Sequence, residues 1–157
     1  MNWKLTRELT EKEKIEIVEL WNQEYPKAMT HTGISGFEQY LQGLAEVNHI
    51  LLFGEEEQVL GWLIYFFRDS EQCFALLLDS SLQGKGWGSK MLNRAKEPNS
   101  ELTGWVVAHE GELKQNGQFY RSPIEYYRKN DFEICQDIQR TMKDIRCIKV
   151  VWKAKRG

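Results

Sequence analysis

The segment Leu76-Leu77-Leu78-Asp79-Ser80-Ser81-Leu82-Gln83-Gly84-Lys85-Gly86-Trp87-Gly88-Ser89 runs from an apolar stretch into three closely spaced glycines. It reads as a buried strand, a turn and the start of a helix. The first N–H groups of a helix have no partner and carry partial positive charge, so phosphate oxygens can take the missing bonds. Glycines let the backbone close on such an anion where a side chain would stand in the way, and Lys85 adds charge. A strand-to-helix turn that holds no ligand is equally compatible with the glycines alone. Two phosphate patterns are excluded. G-x-x-x-x-G-K-[ST] occurs nowhere, and a dinucleotide fingerprint needs a third glycine where this chain has Ser89.

Other side chains capable of chemistry are scattered. His109 and Glu110 follow an apolar run and open a polar stretch, residues 109–121, too long for a tight turn. A histidine titrating near pH 6.5 can take a proton directly, and a glutamate can do so through a water. An exposed polar loop is the plainer account of both. His31 and His49 have no ligand spacing, so no metal site is expected. Six tryptophans in 157 residues are many, and an aromatic wall with a nearby acid can hold a cationic amine, although large aromatics are more often core.

The elements that must position these groups can be read in order. Residues 3–9 alternate as a short strand. Thr10 and Glu13 form a capping box before Ile15, Val18 and Trp21, and Pro26 ends that helix. Ser35 and Glu38 repeat the box before the stripe Phe37, Tyr40, Leu41 and Leu44. Apolar runs at 49–53, 58–67 and 72–79 are separated by Glu55-Glu56-Glu57 and Asp69-Ser70-Glu71, as hairpins are. The run from Cys73 to Leu78 hardly alternates, which predicts a central strand covered on both faces. A helix with Trp87, Met91, Leu92 and Ala95 on one face precedes Pro98, and residues 102–108 form the next strand. Ser122-Pro123-Ile124-Glu125 predicts a helix start with Ser122 as cap. Strands at 132–135 and 145–152 close the chain, the latter as an edge free to pair with a second copy in a homodimer. The result is a β-α-α-β-β-β-α-β-α-β-β order, an α/β (α+β) class with a mixed sheet in three layers.

Composition narrows the function. The 157 residues make one domain, 1–157, with 41% hydrophobic, 12% aromatic and 28% charged residues, enough to bury a core. Lys and Arg number 21 against 23 Asp and Glu, a formal charge of -2, which does not suggest a nucleic-acid partner. The basic tail Lys153, Lys155 and Arg156 reads as solvated surface. The longest apolar run, 59–67, is too short to cross a bilayer, and no leader precedes it, so no membrane partner is expected. Three widely spaced cysteines, Cys73, Cys135 and Cys147, point to a reducing, cytoplasmic setting rather than a disulfide framework.

Two stretches carry a resemblance to a known family. Gln83-Gly84-Lys85-Gly86-Trp87-Gly88 resembles the Q-x-x-G-x-G acetyl-CoA signature of the GNAT superfamily of N-acetyltransferases, where it lies between the fourth strand and the third helix. Tyr126-Tyr127-Arg128-Lys129-Asn130-Asp131-Phe132 resembles that family's helix-ending aromatic-Tyr-x-Lys-x-Gly-Phe stretch, one strand later. The element order agrees over most of the chain.

The resemblance implies a mostly antiparallel central sheet whose fourth and fifth strands splay apart, with helices on both faces. It implies acetyl-CoA as co-substrate, its pantetheine arm in the splay against the main chain of Leu76, Leu77 and Leu78. Its pyrophosphate would lie on Gln83, Gly84, Lys85, Gly86, Trp87, Gly88 and Ser89. The activity implied is transfer of the acetyl group directly to a primary amine of a small molecule or of a protein or peptide. Tyr127 is the implied general acid for the leaving thiolate. A non-catalytic acyl-CoA sensor or interaction module of the same fold is the alternative, and it would not need Tyr127. The acceptor pocket implied draws on the first two helices, the middle hairpin and the loop after the fifth strand, with Tyr25, Met29, His31, Trp62, Tyr65, Arg68, Asp69 and Trp105 as candidates; Arg68 and Asp69 read equally as a plain hairpin turn. Asp131 stands where the family commonly has Gly, and Asp tolerates the left-handed cap that position needs. Tyr120 stands where the family often has a CoA-contacting Asn, with Asn116 near enough in sequence to substitute.

Overall fold

The computed structural model describes residues 1–155, so Arg156 of the basic tail lies outside the described residues. The elements are β1 (Asn2–Thr6), α1 (Glu11–Glu24), α2 (Gly33–Gln42), β2 (Ala45–Phe53), β3 (Val59–Arg68), β4 (Glu71–Leu78), α3 (Trp87–Lys96), β5 (Glu101–Val107), α4 (Ile124–Lys129), β6 (Glu133–Met142) and β7 (Ile145–Lys153). Single 3-10 turns lie at Lys27–Met29 and Ser80–Leu82. This is the expected order, with shifted boundaries: β1 stops at Thr6 rather than residue 9, and β6 runs well past 135.

Local chemistry explains most element ends. Glu13 N–H donates to the Thr10 hydroxyl at 3.1 Å while Thr10 N–H donates to the Glu13 carboxylate at 2.9 Å, closing the expected capping box of α1. The second expected box is absent. Gly33, at φ +75°, turns the chain into α2 two residues before Ser35, which therefore lies inside the first turn. Ser122 does not cap α4 either: its hydroxyl donates to the Val107 carbonyl at 2.6 Å, tying the preceding loop to the end of β5. Asp131 adopts the left-handed conformation, φ +69°, that ends α4.

The sheet order is β1-β2-β3-β4-β5-β7-β6, antiparallel throughout except between β4 and β5. That order overturns the expected dimer edge. Residues 145–152 belong to β7, which is paired on both sides, to β5 and β6, so its backbone groups are already used; β6 is the edge.

Helices cover both faces. Met91, Leu92 and Ala95 of α3 and Tyr127 of α4 pack on one face against Leu63, Phe74, Leu102, Val106 and Val150. Ile17, Val18 and Trp21 of α1 and Phe37 of α2 pack on the other against Trp62, Ile64, Phe66, Cys73 and Leu77. The strand β4 thus feeds both cores, as its unbroken apolar run predicts. His49, 2% exposed, lies in the second layer, where its Nδ1 accepts the Trp62 indole N–H at 3.0 Å. Burial pushes its pKa down to about 4, against a small upward pull from Glu13. On that face α1 rests on β3 and β4, whereas on the β5–β7–β6 half Met29, Tyr120 and Met142 pack with Trp105, Val107, Ile145 and Cys147.

Candidate functional site

The strands β4 and β5 meet at a single pair, Cys73 with Thr103, and then part. The Phe74 ring lies over β5 where a side chain at residue 104 would stand: a Cβ on Gly104 would be 2.7 Å from it. Beyond Cys73 the backbone of β4 therefore faces an opening. Asp79 N–H donates to Leu60 on β3 at 2.8 Å, and antiparallel bonding alternates, so Leu77 also turns its polar groups to β3. Of the three leucines expected to hold an extended ligand, Leu76 and Leu78 turn toward the opening, and Leu77 does not. Its side chain is core instead, 3% exposed.

The glycine turn follows directly. Gly84 and Gly86 have φ of +76° and +86°, with no atom within 4 Å of a Cβ at either. The first helical bond of α3 runs from Lys90 N–H to Gly86 C=O, leaving the amides of residues 84–89 without a partner among the described residues. Gln83 is different: its amide side chain folds back and donates to the Leu78 carbonyl at 3.0 Å, bracing the turn rather than facing outward. Gly88 also has a reason of its own, since a Cβ there would lie 2.6 Å from the Tyr126 hydroxyl. Its smallness lets α3 pack against Tyr126. Sequence reasoning missed two cations here. Lys90 lies over the Trp87 ring at 4.3 Å and Arg94 over Trp3 at 4.1 Å, both exposed on the helix that follows the turn. Their i, i+4 spacing was the available signal.

Tyr127, 6% exposed, lies beside the opening, edge-on to Phe74 at 5.7 Å and to Phe132 at 5.2 Å. Burial raises its pKa well above the usual phenol value, and neighbouring Tyr126, Tyr25 and Tyr120 add to this. Tyr25 and Tyr120 pack with the layers of the opposite face, so three tyrosines approach one another across the parted strands.

A polar assembly closes the far end of the opening. Glu24, at the last turn of α1 and 5% exposed, accepts bonds from Ser80 N–H at 3.0 Å, the Ser80 hydroxyl at 2.7 Å, and Lys114 Nζ at 3.2 Å. Lys114 sits on a small hairpin in which Leu113 bridges Phe119. The carboxylate thereby joins α1, the end of β4 and the loop after β5. No signal in the sequence marks it, because its partners lie 56 and 90 residues away.

The remaining candidates separate. His109 Nε2 is 2.8 Å from the Glu112 carboxylate, a base-like pair at the end of β5, whereas Glu110 is exposed and accepts Ser122 N–H at 3.2 Å. Asn116 is at the hairpin tip, bonded to Gln118, where it lines an open groove with Val18 and Gln115. His31 Nε2 is enclosed without a partner, against Trp21 at 4.3 Å.

No protein-family model matches the chain. No curated protein matches it in sequence. Solved structures do match along nearly its whole length. An aminoglycoside 6'-acetyltransferase type Ii is 13% identical with a TM-score of 0.71, over 100% of both chains. A GNAT superfamily phosphinothricin acetyltransferase from Sinorhizobium meliloti, solved with acetyl-CoA, is 12% identical with a TM-score of 0.67, over 100% of this chain and 91% of that one. A ribosomal-protein-alanine N-acetyltransferase from Brucella melitensis is 18% identical with a TM-score of 0.65, over 96% and 99%. The chain has the GNAT acyl-CoA N-acyltransferase fold.

Proposed function

We propose that this chain, which has the GNAT fold, is an acetyl-CoA-dependent N-acetyltransferase that passes the acetyl group directly to a primary amine. The observation that carries the reading is the junction of three features on one strand. The backbone of β4 opens at Leu76, a turn of unpartnered amides follows at 84–89, and Tyr127 stands beside the opening. The residues suit the co-substrate. Amides at the start of α3, with Lys85 and Lys90 near, match a pyrophosphate in charge and geometry. The polar groups of Leu76, with the N–H of Leu78 whose carbonyl already accepts from Gln83, can bond a pantetheine arm as a neighbouring strand would. An N–H of β4 aimed at the thioester oxygen stabilises the charge that develops there.

Tyr127 supplies the proton. Its raised pKa keeps the phenol protonated at neutral pH, the state from which a general acid starts. The His109–Glu112 pair is the base we favour for the attacking ammonium, since a carboxylate on one ring nitrogen orients the imidazole. The acceptor enters from the α1/α2 side, where Met29 and Tyr120 rather than an α-helix lie over the β5–β7–β6 half of the sheet. Amines of different kinds are named for proteins of this fold, an aminoglycoside and a ribosomal-protein alanine among them, and both support an amine acceptor in general.

Calorimetric titration with acetyl-CoA, CoA and desulfo-CoA tests the reading: one saturable site per chain is expected, and no binding at millimolar ligand removes it. The burial of Tyr127 favours a second reading, a module that binds an acyl-CoA without turnover. Tyr127→Phe separates the two, because only an enzyme loses thiol release while keeping its affinity.

A further inference from the structure

Around the point where β4 and β5 part, on the α1/α2 side, stands a cluster that the chemistry above does not use. Arg68, at the end of β3, continues the inward face of Trp62, Ile64 and Phe66, and its guanidinium lies over the Phe66 ring at 5.2 Å. Arg140, on β6, lies over the Trp105 ring at 4.6 Å. Asp69 links the two, 4.0 Å from Arg68 and 3.4 Å from Arg140. The Cys73 thiol donates to the Arg68 and Glu71 carbonyls; burial raises its pKa, with Arg68 and Arg140 pulling it down and Glu71 and Asp69 pushing it up.

The pairing within the cluster is incomplete. Glu71 is taken: Lys149 Nζ lies 2.6 Å from its carboxylate, and the Thr103 hydroxyl donates to it at 3.3 Å. Asp69 is shared, 3.4 Å from Arg140 and 4.0 Å from Arg68. The Arg68 guanidinium makes no hydrogen bond among the described residues, although the side chain is only 30% exposed and its enclosed Nε has nothing nearer than the Asp69 carboxylate at 4.0 Å. A guanidinium has five donors in a fork that fits two oxygens at once. One left half-buried with only a long ion pair to a shared carboxylate and an aromatic face loses hydration without the hydrogen bonds that would replace it, which is what a waiting binding site costs. Trp105 holds the Arg140 guanidinium in place beside the same patch.

We propose that Arg68, supported by Arg140, is a subsite for an anionic oxygen group, carboxylate or phosphate, carried by the acceptor at the end remote from its amine. The inference rests on the acetyltransferase reading for the acceptor's other end. Cys73 precedes Leu76 by three residues, about 10 Å along an extended strand. The acceptor is therefore a long amine with its anion about 10 Å away: a peptide with a free C-terminus, an ω-amino acid or an amino-alkyl phosphate. A free α-amino acid, whose two groups are adjacent, is too short.

The test is calorimetric titration of the CoA-loaded protein with matched probes: aminohexanoic acid against aminohexanamide, and aminohexyl phosphate against aminohexanol. At least one anionic member should bind about tenfold or more tighter than its neutral partner. Carboxylate preference identifies an acid acceptor, and phosphate preference a phosphorylated one. Arg68→Met should remove that preference, and Arg140→Met should weaken it, with acetyl-CoA affinity reporting that each variant is folded. Equal binding within both pairs, no binding by either anion, or a preference that survives Arg68→Met overturns the proposal. If acetyl-CoA binds and the anions do not, the subsite fails alone. If the anions bind and acetyl-CoA does not, the acetyltransferase reading fails and the anion site stands.

Discussion

On the α3/α4 side of the parted strands the walls are dry: Phe74, Tyr127 and Phe132 pack edge to edge, and the polar work falls to main-chain amides of one contiguous turn. On the α1/α2 side the walls are charged, with Glu24, Lys114, Arg68 and Arg140 arriving from a helix, a loop and two strands. Backbone amides cannot be varied by substitution, so a site built from them suits a ligand that never changes. A site built from side chains on separate elements can be rebuilt one residue at a time, which suits the partner that differs from protein to protein. On the proposed function, this difference separates a fixed co-substrate side from an adaptable acceptor side.

The largest expected effect attacks the fixed side. Gly86→Glu puts a carboxylate and a strained left-handed residue among the unpartnered amides. Acetyl-CoA affinity should fall at least about a hundredfold by calorimetry, and wild-type affinity would show that the turn holds no phosphate. Tyr127→Phe should lower thiol release by a factor of about 10²–10⁴ while acetyl-CoA affinity stays within a few-fold. Equal turnover would make Tyr127 a core residue only.

On the charged side, Glu24→Ala strands Lys114 and Ser80 N–H in a largely buried place. Denaturant titration should show a loss of about 3 kcal/mol. A change within about 0.5 kcal/mol would mean that the loop reorganises freely and that this wall is not built as described.

A smaller effect concerns the layer beneath. His49 titrates near 4 when folded and near 6.5 when unfolded. The unfolded chain therefore takes up the proton first as pH falls, so this stability is present above about pH 6.5 and drains away between about 6.5 and 4. The whole window amounts to about 3 kcal/mol, and roughly half of it is gone by pH 5. Urea midpoints between pH 7.5 and 5 should fall in the wild type and less so in His49→Gln; parallel curves would assign the slope elsewhere. The smallest effect is the cap: Thr10→Ala should cost about 1 kcal/mol, read as a lower melting temperature.

Legibility in the sequence follows the same division. The turn at 83–89 and the stretch from Tyr126 to Phe132 are contiguous, so their spacing alone exposes them. So are the capping box at Thr10 and the unbroken strand at 73–78. Yet contiguity misled where a local pattern had a distant competitor. Ser122 has the right neighbours for a cap, but its hydroxyl prefers the Val107 carbonyl fifteen residues back. Gly88 fits a phosphate motif, but the Tyr126 hydroxyl is what forbids a side chain there. Glu24 lies in a helix of charged residues and looks like any other surface acid until β4 and the hairpin close on it.

What the residues by themselves determined is everything set within a few bonds of the chain: helix starts, strand runs, and a glycine turn whose amides have nowhere local to go. Only the tertiary structure decided that β7 is inserted between β5 and β6, and that Leu77 turns away from the opening while Leu76 faces it. It also left the Arg68 guanidinium half-buried without a hydrogen bond among the described residues. Those outcomes depend on which strand lies beside which, because a buried polar group must be satisfied by whatever packing brings to it. No spacing along the chain carries that information.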